Sequence, residues 1–402
     1  MKLYRHPEAM EPLWPSAEKG RLSELTCDIL QDSGRLSGQI HSPHVIKAVA
    51  DLVREMNCYY SNLIEGHKTT PREIERALQK DFSDNQTQRE NQQLGLAHLA
   101  VEQLMEVRVS GDPALDVYAP DFLCWLHREF YARLPADLHT AKTQSGQTYR
   151  IIPGVLRDFM VDVGRHTPPD FSVIPDFLER YRQFYGNQNI LPTERLTAIA
   201  AAHHRLAWIH PFGDGNGRVA RLHSHALLVR HGIPGHGLWT LSRGLARSRS
   251  RYYAALDAAD QQRRNDLDGR GNLSEAALGA FCVFFLETML DQIRFMSGLL
   301  DLGHLRTRVE RYFQFETLHT KRHREPLMRI VRALIDEGEI PRARVQELAG
   351  RGATVCAEII KLGLESGYFT SPSPKGPLRV AFPAKVHDSI FPQLFLELPP
   401  EL

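Results

Sequence analysis

Residues 210–221 read His-Pro-Phe-Gly-Asp-Gly-Asn-Gly-Arg-Val-Ala-Arg, and this turn constrains how the chain on either side of it can fold. Upstream, residues 193–209 carry Leu196, Ile199, Ala200, His203, Leu206 and Ala207 on one face. That period predicts an amphipathic helix which delivers His210 at its C-terminal end, against a packed core. Downstream, the apolar-periodic run over 217–231 predicts a second helix, stopped by Gly232 with Pro234 beyond it. Gly215 and Gly217 flank Asn216, so the backbone there can take positive φ and approach a ligand closely. The turn therefore opens onto a helix N-terminus, where unpaired N–H groups and the helix dipole favour an anion. Arg218 and Arg221 are three apart and share one face of that helix. A base, a carboxylate, backbone donors and fixed positive charge together make up the parts that phosphate chemistry needs.

Each part has an expected role. Gly215, Asn216 and Gly217 with the helix N-terminus would hold the α- and β-phosphates of a nucleotide. Asp214, the only carboxylate in the segment, is the expected Mg²⁺ ligand. His210, ordinarily titrating near ~6.5, can take a proton from a hydroxyl that attacks phosphorus. Arg218 and Arg221 offset charge on the terminal phosphates with planar, paired donors. Phe212 anchors the turn, and Pro211 stiffens it.

The segment resembles the signature of the Fic family, His-x-Phe-x-(Asp/Glu)-Gly-Asn-Gly-Arg-x-x-Arg, and matches it at every defined position. The resemblance covers about residues 40–300. It implies a Fic-type helical bundle with a short β-hairpin flap, and transfer of AMP from ATP to a Ser, Thr or Tyr hydroxyl of a target protein, pyrophosphate leaving. The chain itself is one candidate target. In that scheme His210 is the base, Asp214 the magnesium ligand, and Asn216, Arg218 and Arg221 phosphate holders. The β-forming stretch 149–163, with Val155, Phe159, Val161 and Val163 beside Gly154 and Gly164, stands where the family has the flap that docks a target by β-addition. Tyr252-Tyr253 resembles a tyrosine pair near the family's nucleotide pocket; core packing and ligand contact both remain open for it, with Tyr253 the nucleotide-binding candidate.

Upstream, Ser61-Asn-Leu-Ile-Glu65-Gly66 is similar to the family's inhibitory pattern, (Ser/Thr)-x-x-x-Glu-(Gly/Asn). Alone it also suits a helix C-terminus with Gly66 as its cap. Beside the full signature it implies that the Glu65 carboxylate pairs with Arg221 and takes the space and charge partner of the γ-phosphate.

The rest of the chain reads as mainly α. Helices are expected over 43–60, 71–82, 88–107, 119–133, 172–185, 246–260 and 274–299, giving an N-terminal helical region (1–110) with the inhibitory helix at about 43–65 and a catalytic core (111–300). A linker helix (301–325) leads to 326–402. There the order helix 327–337, helix 341–349, helix 354–366, then a hairpin around 371–376 resembles a winged helix-turn-helix. His203-His204 invites a metal reading, but adjacent rings on a helix point about 100° apart, and no His-Glu-x-x-His occurs. The loop 266–272 has Ala277 where a calcium loop closes with Glu, so Ser274 is better read as a helix cap.

At 42% apolar, 24% charged and net charge +1, composition is that of an ordinary globular chain with no global pull toward nucleic acid or membrane. No run approaches the roughly 18 apolar residues of a membrane span, and no secretory signal opens the chain. Five scattered cysteines argue against a zinc site or a disulfide framework and for a reducing cytoplasm. Two alternatives stay open. The same site could remove AMP or move another phosphate group. The C-terminal domain could contact DNA as a transcriptional regulator, although residues 303–402 hold 15 Lys/Arg against 12 Asp/Glu and the presumed recognition helix offers little beyond Lys361. Protein interaction or a homodimer competes with that reading.

Overall fold

The computed structural model describes residues 4–142, 146, 148–187, 189–315 and 320–395. Contacts divide the chain into two units. The first comprises residues 1–31, 57–236 and 241–292, the second 32–56, 237–240 and 293–402. The chain is mainly helical, as expected, with α1 (Lys19–Gln39), α2 (Pro43–Ile64), α3 (Pro71–Leu78), α4 (Gln86–Gly111), α5 (Pro120–Tyr131), α6 (Ile174–Tyr185), α7 (Arg195–Ile209), α8 (Asn216–Arg230), α9 (Leu241–Arg247), α10 (Arg249–Asp260) and α11 (Glu275–Leu299).

In the first unit α7 and α8 form the central antiparallel pair, with α6 and α10 packed on α7, and α4 and α5 on α8. The sequence supports this arrangement at both levels. Nearly every side chain of α7 is buried, including Ile199, Leu206, Trp208 and Ile209, because the helix is covered on all sides. His203 and His204 are wholly buried. The His203 ring bonds Ser224 and Tyr252, so it belongs to the core. Ser274 Oγ accepts from Ala277 N at 3.1 Å, capping α11 as expected. The helix expected over 246–260 is divided at Ser248 into α9 and α10. Among the described residues α11 is the one helix long and apolar enough, by length and composition, to cross a membrane, contrary to the expectation of none; 61% of its apolar window is buried in the fold.

The flap expectation needs correction. The two-stranded sheet pairs β1 (Thr140–Lys142) with β2 (Thr148–Arg150), Ala141 opposite Tyr149, so the strand pair overlaps 149–163 only at Tyr149 and Arg150. Residues 151–169 instead run as irregular chain with a single bridge, Val163 to His166. Their β-forming side chains serve other packing: Phe159 stacks on Tyr149 at 3.8 Å between centroids, nearly parallel. A Cβ on Gly213 would come within 2.9 Å of that Phe159 ring, so the segment lies directly on the 210–215 turn.

The second unit holds α12 (Leu302–Phe315), α13 (Lys321–Glu337), β3 (Glu339–Ile340), α14 (Arg344–Ala349), α15 (Ala353–Glu365), β4 (Phe369–Thr370), β5 (Leu378–Val380) and α16 (His387–Ile390). The sheet order is β3-β5-β4, antiparallel throughout. Gly338, at φ 79°, turns the chain from α13 straight into β3. Leu327, Ile330, Leu334, Val345, Ile359, Phe369 and Leu378 make its core. The linker is shorter than 301–325, since α13 already begins at Lys321.

Candidate active site

The site is built where α7 stops and α8 starts. His210 caps α7 in the left-handed region, φ 49° and ψ 61°, a conformation a non-glycine residue holds only when its surroundings fix it. Here they do. The Arg157 guanidinium is buried and donates to His210 O (2.8 Å), Phe159 O (2.9 Å) and Pro169 O (2.7 Å), while Arg157 N donates to Pro211 O. Phe212 is buried and stacks on His127, ring to ring at 4.1 Å and 6°. Asn216 closes the turn: its Oδ1 accepts from Phe212 N (2.9 Å) and its Nδ2 donates to Phe212 O (2.8 Å). The Asn216 side chain is therefore engaged in shaping the loop, because an amide two-point match to one backbone residue fixes the turn more rigidly than glycine alone could. Its backbone N–H, with those of Gly217 and Arg218, lies in the first turn of α8, where N–H groups have no intrahelical acceptor.

Gly215 stands at φ 78°, and a Cβ there would meet the Tyr131 ring at 2.9 Å. Tyr131, at the end of α5, donates its hydroxyl to Asp214 Oδ2. Arg218 Nη1 lies 3.8 Å from that same oxygen, and its guanidinium sits 5.2 Å over the Phe130 ring. Burial works against the Asp214 charge, but Arg218, the Tyr131 hydroxyl and the Gly215 N–H outweigh it and hold the carboxyl below its ordinary range. Asp214 keeps half of its side chain exposed. Desolvation, aided by the Arg157 charge and His166, lowers His210 to about 4, so the imidazole is neutral at pH 7 and can accept a proton.

The inhibitory-pattern residues stand at the same place. Arg221, only 3% exposed, donates from Nε to Ser61 Oγ (2.9 Å) and from Nη2 to Ser61 O (3.0 Å) and Glu65 Oε1 (2.7 Å). Burial opposes ionisation of Glu65, but Arg221 and Arg218 dominate and lower its pKa. Gly66, at φ 88°, ends α2, so capping and the approach of Glu65 to Arg221 are one geometry. A Cβ on Gly217 would collide with Glu65 Oε1. The tyrosine pair divides: Tyr252 is buried on His203, whereas Tyr253, 42% exposed, donates its hydroxyl to Ile64 O at 3.1 Å beside Glu65.

Every signature residue thus converges, together with Ser61, Glu65 and Tyr253. Arg157, Tyr131 and His127 were missed, since each lies 53 to 85 positions from its partner with no local pattern around it.

A helical pair whose turn brings an imidazole and a carboxylate to a helix N-terminus is the arrangement this chain shares in fold with Fic family proteins. Residues 117–228 match the Fic/DOC family, and the chain carries a Fic domain there. It is 37% identical over 81 residues to protein adenylyltransferase Fic of Drosophila erecta, covering 20% of this chain and 16% of that protein. It is 33% identical over 107 residues to protein adenylyltransferase fic-1 of Caenorhabditis elegans, covering 27% and 20%. The chain therefore spans a fifth or less of the length of these relatives. Among solved structures, a Fic family protein from Desulfovibrio desulfuricans G20 shares the fold over 92% of this chain and 98% of its own, with TM-score 0.55 and 18% identity. A Fic domain containing signaling protein from Bacteroides thetaiotaomicron covers 69% and 95%, with TM-score 0.50 and 19% identity.

Proposed function

We propose that the chain is a protein adenylyltransferase held in check by Glu65. The observation that carries the reading is the convergence on one helix N-terminus of a neutral His210, a partly exposed Asp214 and the buried Arg221. A hard carboxylate oxygen held by Tyr131 suits Mg²⁺, and Asp214 would hold it. When bound, the ion offsets charge on the phosphate oxygens. The first-turn N–H groups of α8 and Arg218 receive the phosphates. A His210 ring nitrogen removes the proton from a target hydroxyl as that oxygen bonds to the α-phosphorus and the bond to the leaving pyrophosphate breaks. Arg157 positions His210 through its carbonyl. The edge of the β1–β2 pair is where a target's backbone would add. With Glu65 on Arg221, the γ-phosphate loses its partner and ATP lies unproductively. The cytoplasm, where five free thiols persist, is the compartment we propose.

Incubating the Glu65→Gly chain with ATP, UTP or CDP-choline in a cell lysate, and measuring the mass added to proteins, tests the reading. Addition of AMP that His210→Ala abolishes supports it. A different group, or AMP removal alone, replaces it. For the second unit, we read α13 to β5 as a winged helix-turn-helix whose partner is a protein. Lys361 on α15 is already paired with Glu365 at 3.8 Å. Salt-sensitive binding to random duplex DNA would instead favour nucleic acid.

A further inference from the structure

Further along α8 than the 210–217 turn, the first unit brings together two histidines and two glutamates. Glu102 and Glu106 are four apart on α4 and share a face. His225 projects from α8, one turn beyond Arg221. His236 comes from the turn after α8, where Gly235 (φ 63°) and Gly237 (φ 84°) bend the chain back over that helix. His225 Nε2 stands 3.1 Å from Glu106 Oε1 and 3.1 Å from His236 Nε2, and one ligand atom from each of the three residues lies within 4.8 Å of the others. Ligand atoms around a tetrahedral zinc ion with Zn–N of about 2.0–2.1 Å are separated by about 3.3 Å.

The opposite side of the His225 ring supplies an independent observation. Its Nδ1 faces Glu102 Oε1 at 3.5 Å, and Glu102 is 1% exposed. The other Glu102 oxygen accepts from Asn57 Nδ2 at 2.6 Å and lies 3.5 Å from His98 Nδ1. A carboxylate beside Nδ1 sets the tautomer in which that nitrogen carries the hydrogen. The Nε2 lone pair then points toward a carboxylate oxygen and a second imidazole nitrogen, and in the His236 tautomer that leaves its Nε2 unprotonated three ligand atoms converge on one point. A divalent cation resolves that arrangement. The order carboxylate, histidine, metal is the usual way proteins orient a ligating imidazole.

We propose that Glu106, His225 and His236 form a site for a divalent transition metal of the zinc type, with Glu102 as the group that orients His225. Two imidazoles and one carboxylate provide three ligands, and water completes four. The ligands come from α4, α8 and the turn at 231–237, so the ion clamps these three pieces. Sequence spacing hides it, because the histidines are eleven apart and the glutamate lies on another helix.

The test uses the full chain stripped with a chelator and titrated with Zn²⁺ in competition with a chromophoric chelator, with Mg²⁺ as comparison, and with Co²⁺ as spectroscopic probe. Expected are one equivalent of Zn²⁺ bound, strong visible Co²⁺ absorption of the tetrahedral kind, and a rise in Tm of about 5 °C at a hundredfold excess over Kd. His236→Ala, in a half-buried turn, and Glu106→Gln should each weaken Zn²⁺ binding at least tenfold and remove the Co²⁺ band. His304→Ala, on an exposed residue of the second unit, should leave both unchanged. Zn²⁺ binding or a Co²⁺ spectrum unaltered in His236→Ala that melts like the parent chain would overturn the proposal, as would no binding by the parent.

Discussion

Replacing Glu65 by Gly removes the carboxylate that sits on Arg221 while leaving Ser61 Oγ and O as acceptors for the guanidinium. The size of the effect follows from the contact. A hydrogen bond between charged groups is worth about 1.5–3 kcal/mol. Arg221 is 3% exposed, but Glu65 is 28% exposed, so solvent takes part of the gain and the lower end, about 1.5–2 kcal/mol, applies. If the carboxylate-in arrangement is favoured by that amount, its loss raises the fraction able to bind ATP productively by roughly 10–30-fold. The assay is the initial rate of AMP incorporation from labelled ATP, with His210→Ala subtracted as background. Equal rates for parent and Glu65→Gly, with Tm values within about 2 °C of each other, would refute the reasoning. Ser61→Ala should release the enzyme less, since the carboxylate remains.

The site makes three further predictions. Because His210 titrates near 4, the imidazole stays unprotonated as pH falls through 6.5, so kcat/KM of the Glu65→Gly chain should hold flat to about pH 5 and decline only toward pH 4; a limb near 6.5 in the pH profile would contradict this. Arg157→Ala leaves the carbonyls of His210, Phe159 and Pro169 without their shared donor, and should cost about 3 kcal/mol in urea unfolding and at least tenfold in kcat, whereas a kcat within twofold would show that His210 keeps its place unaided. Tyr131→Phe removes the hydroxyl that orients Asp214, and should raise the Mg²⁺ concentration for half-maximal rate about tenfold with little change in Tm; an unchanged Mg²⁺ requirement would separate Tyr131 from metal binding.

The turn at 210–221 was readable because its chemistry is contiguous: a helix end, a glycine-spaced loop and a helix start follow one another, and their backbone geometry is local. The same holds for Ser61–Gly66 at the end of α2. What escaped was non-local. Nothing near Arg157 in sequence shows that its guanidinium holds the carbonyl of a residue 53 positions on. Tyr131 looks like one more aromatic of an amphipathic helix. The β-formers at 155–163 were assigned to a hairpin because propensity cannot distinguish a strand from an irregular segment whose aromatics pack on a loop, as Phe159 does on Tyr149 and Gly213. The loop-building role of the Asn216 side chain escaped for a related reason, since its two bonds to Phe212 leave no trace in the motif's spacing.

The missing Cβ of Gly217 bears on how such a protein could be released by mutation. A side chain at 217 would evict the Glu65 carboxylate, yet it would fill the same space over the first turn of α8 that a phosphate must enter. A genetic screen for unrestrained variants should therefore return changes at the end of α2, at Ser61 or Glu65, and none at 217. Gain of activity and loss of it are encoded on different helices, and the glycine is where the two routes diverge.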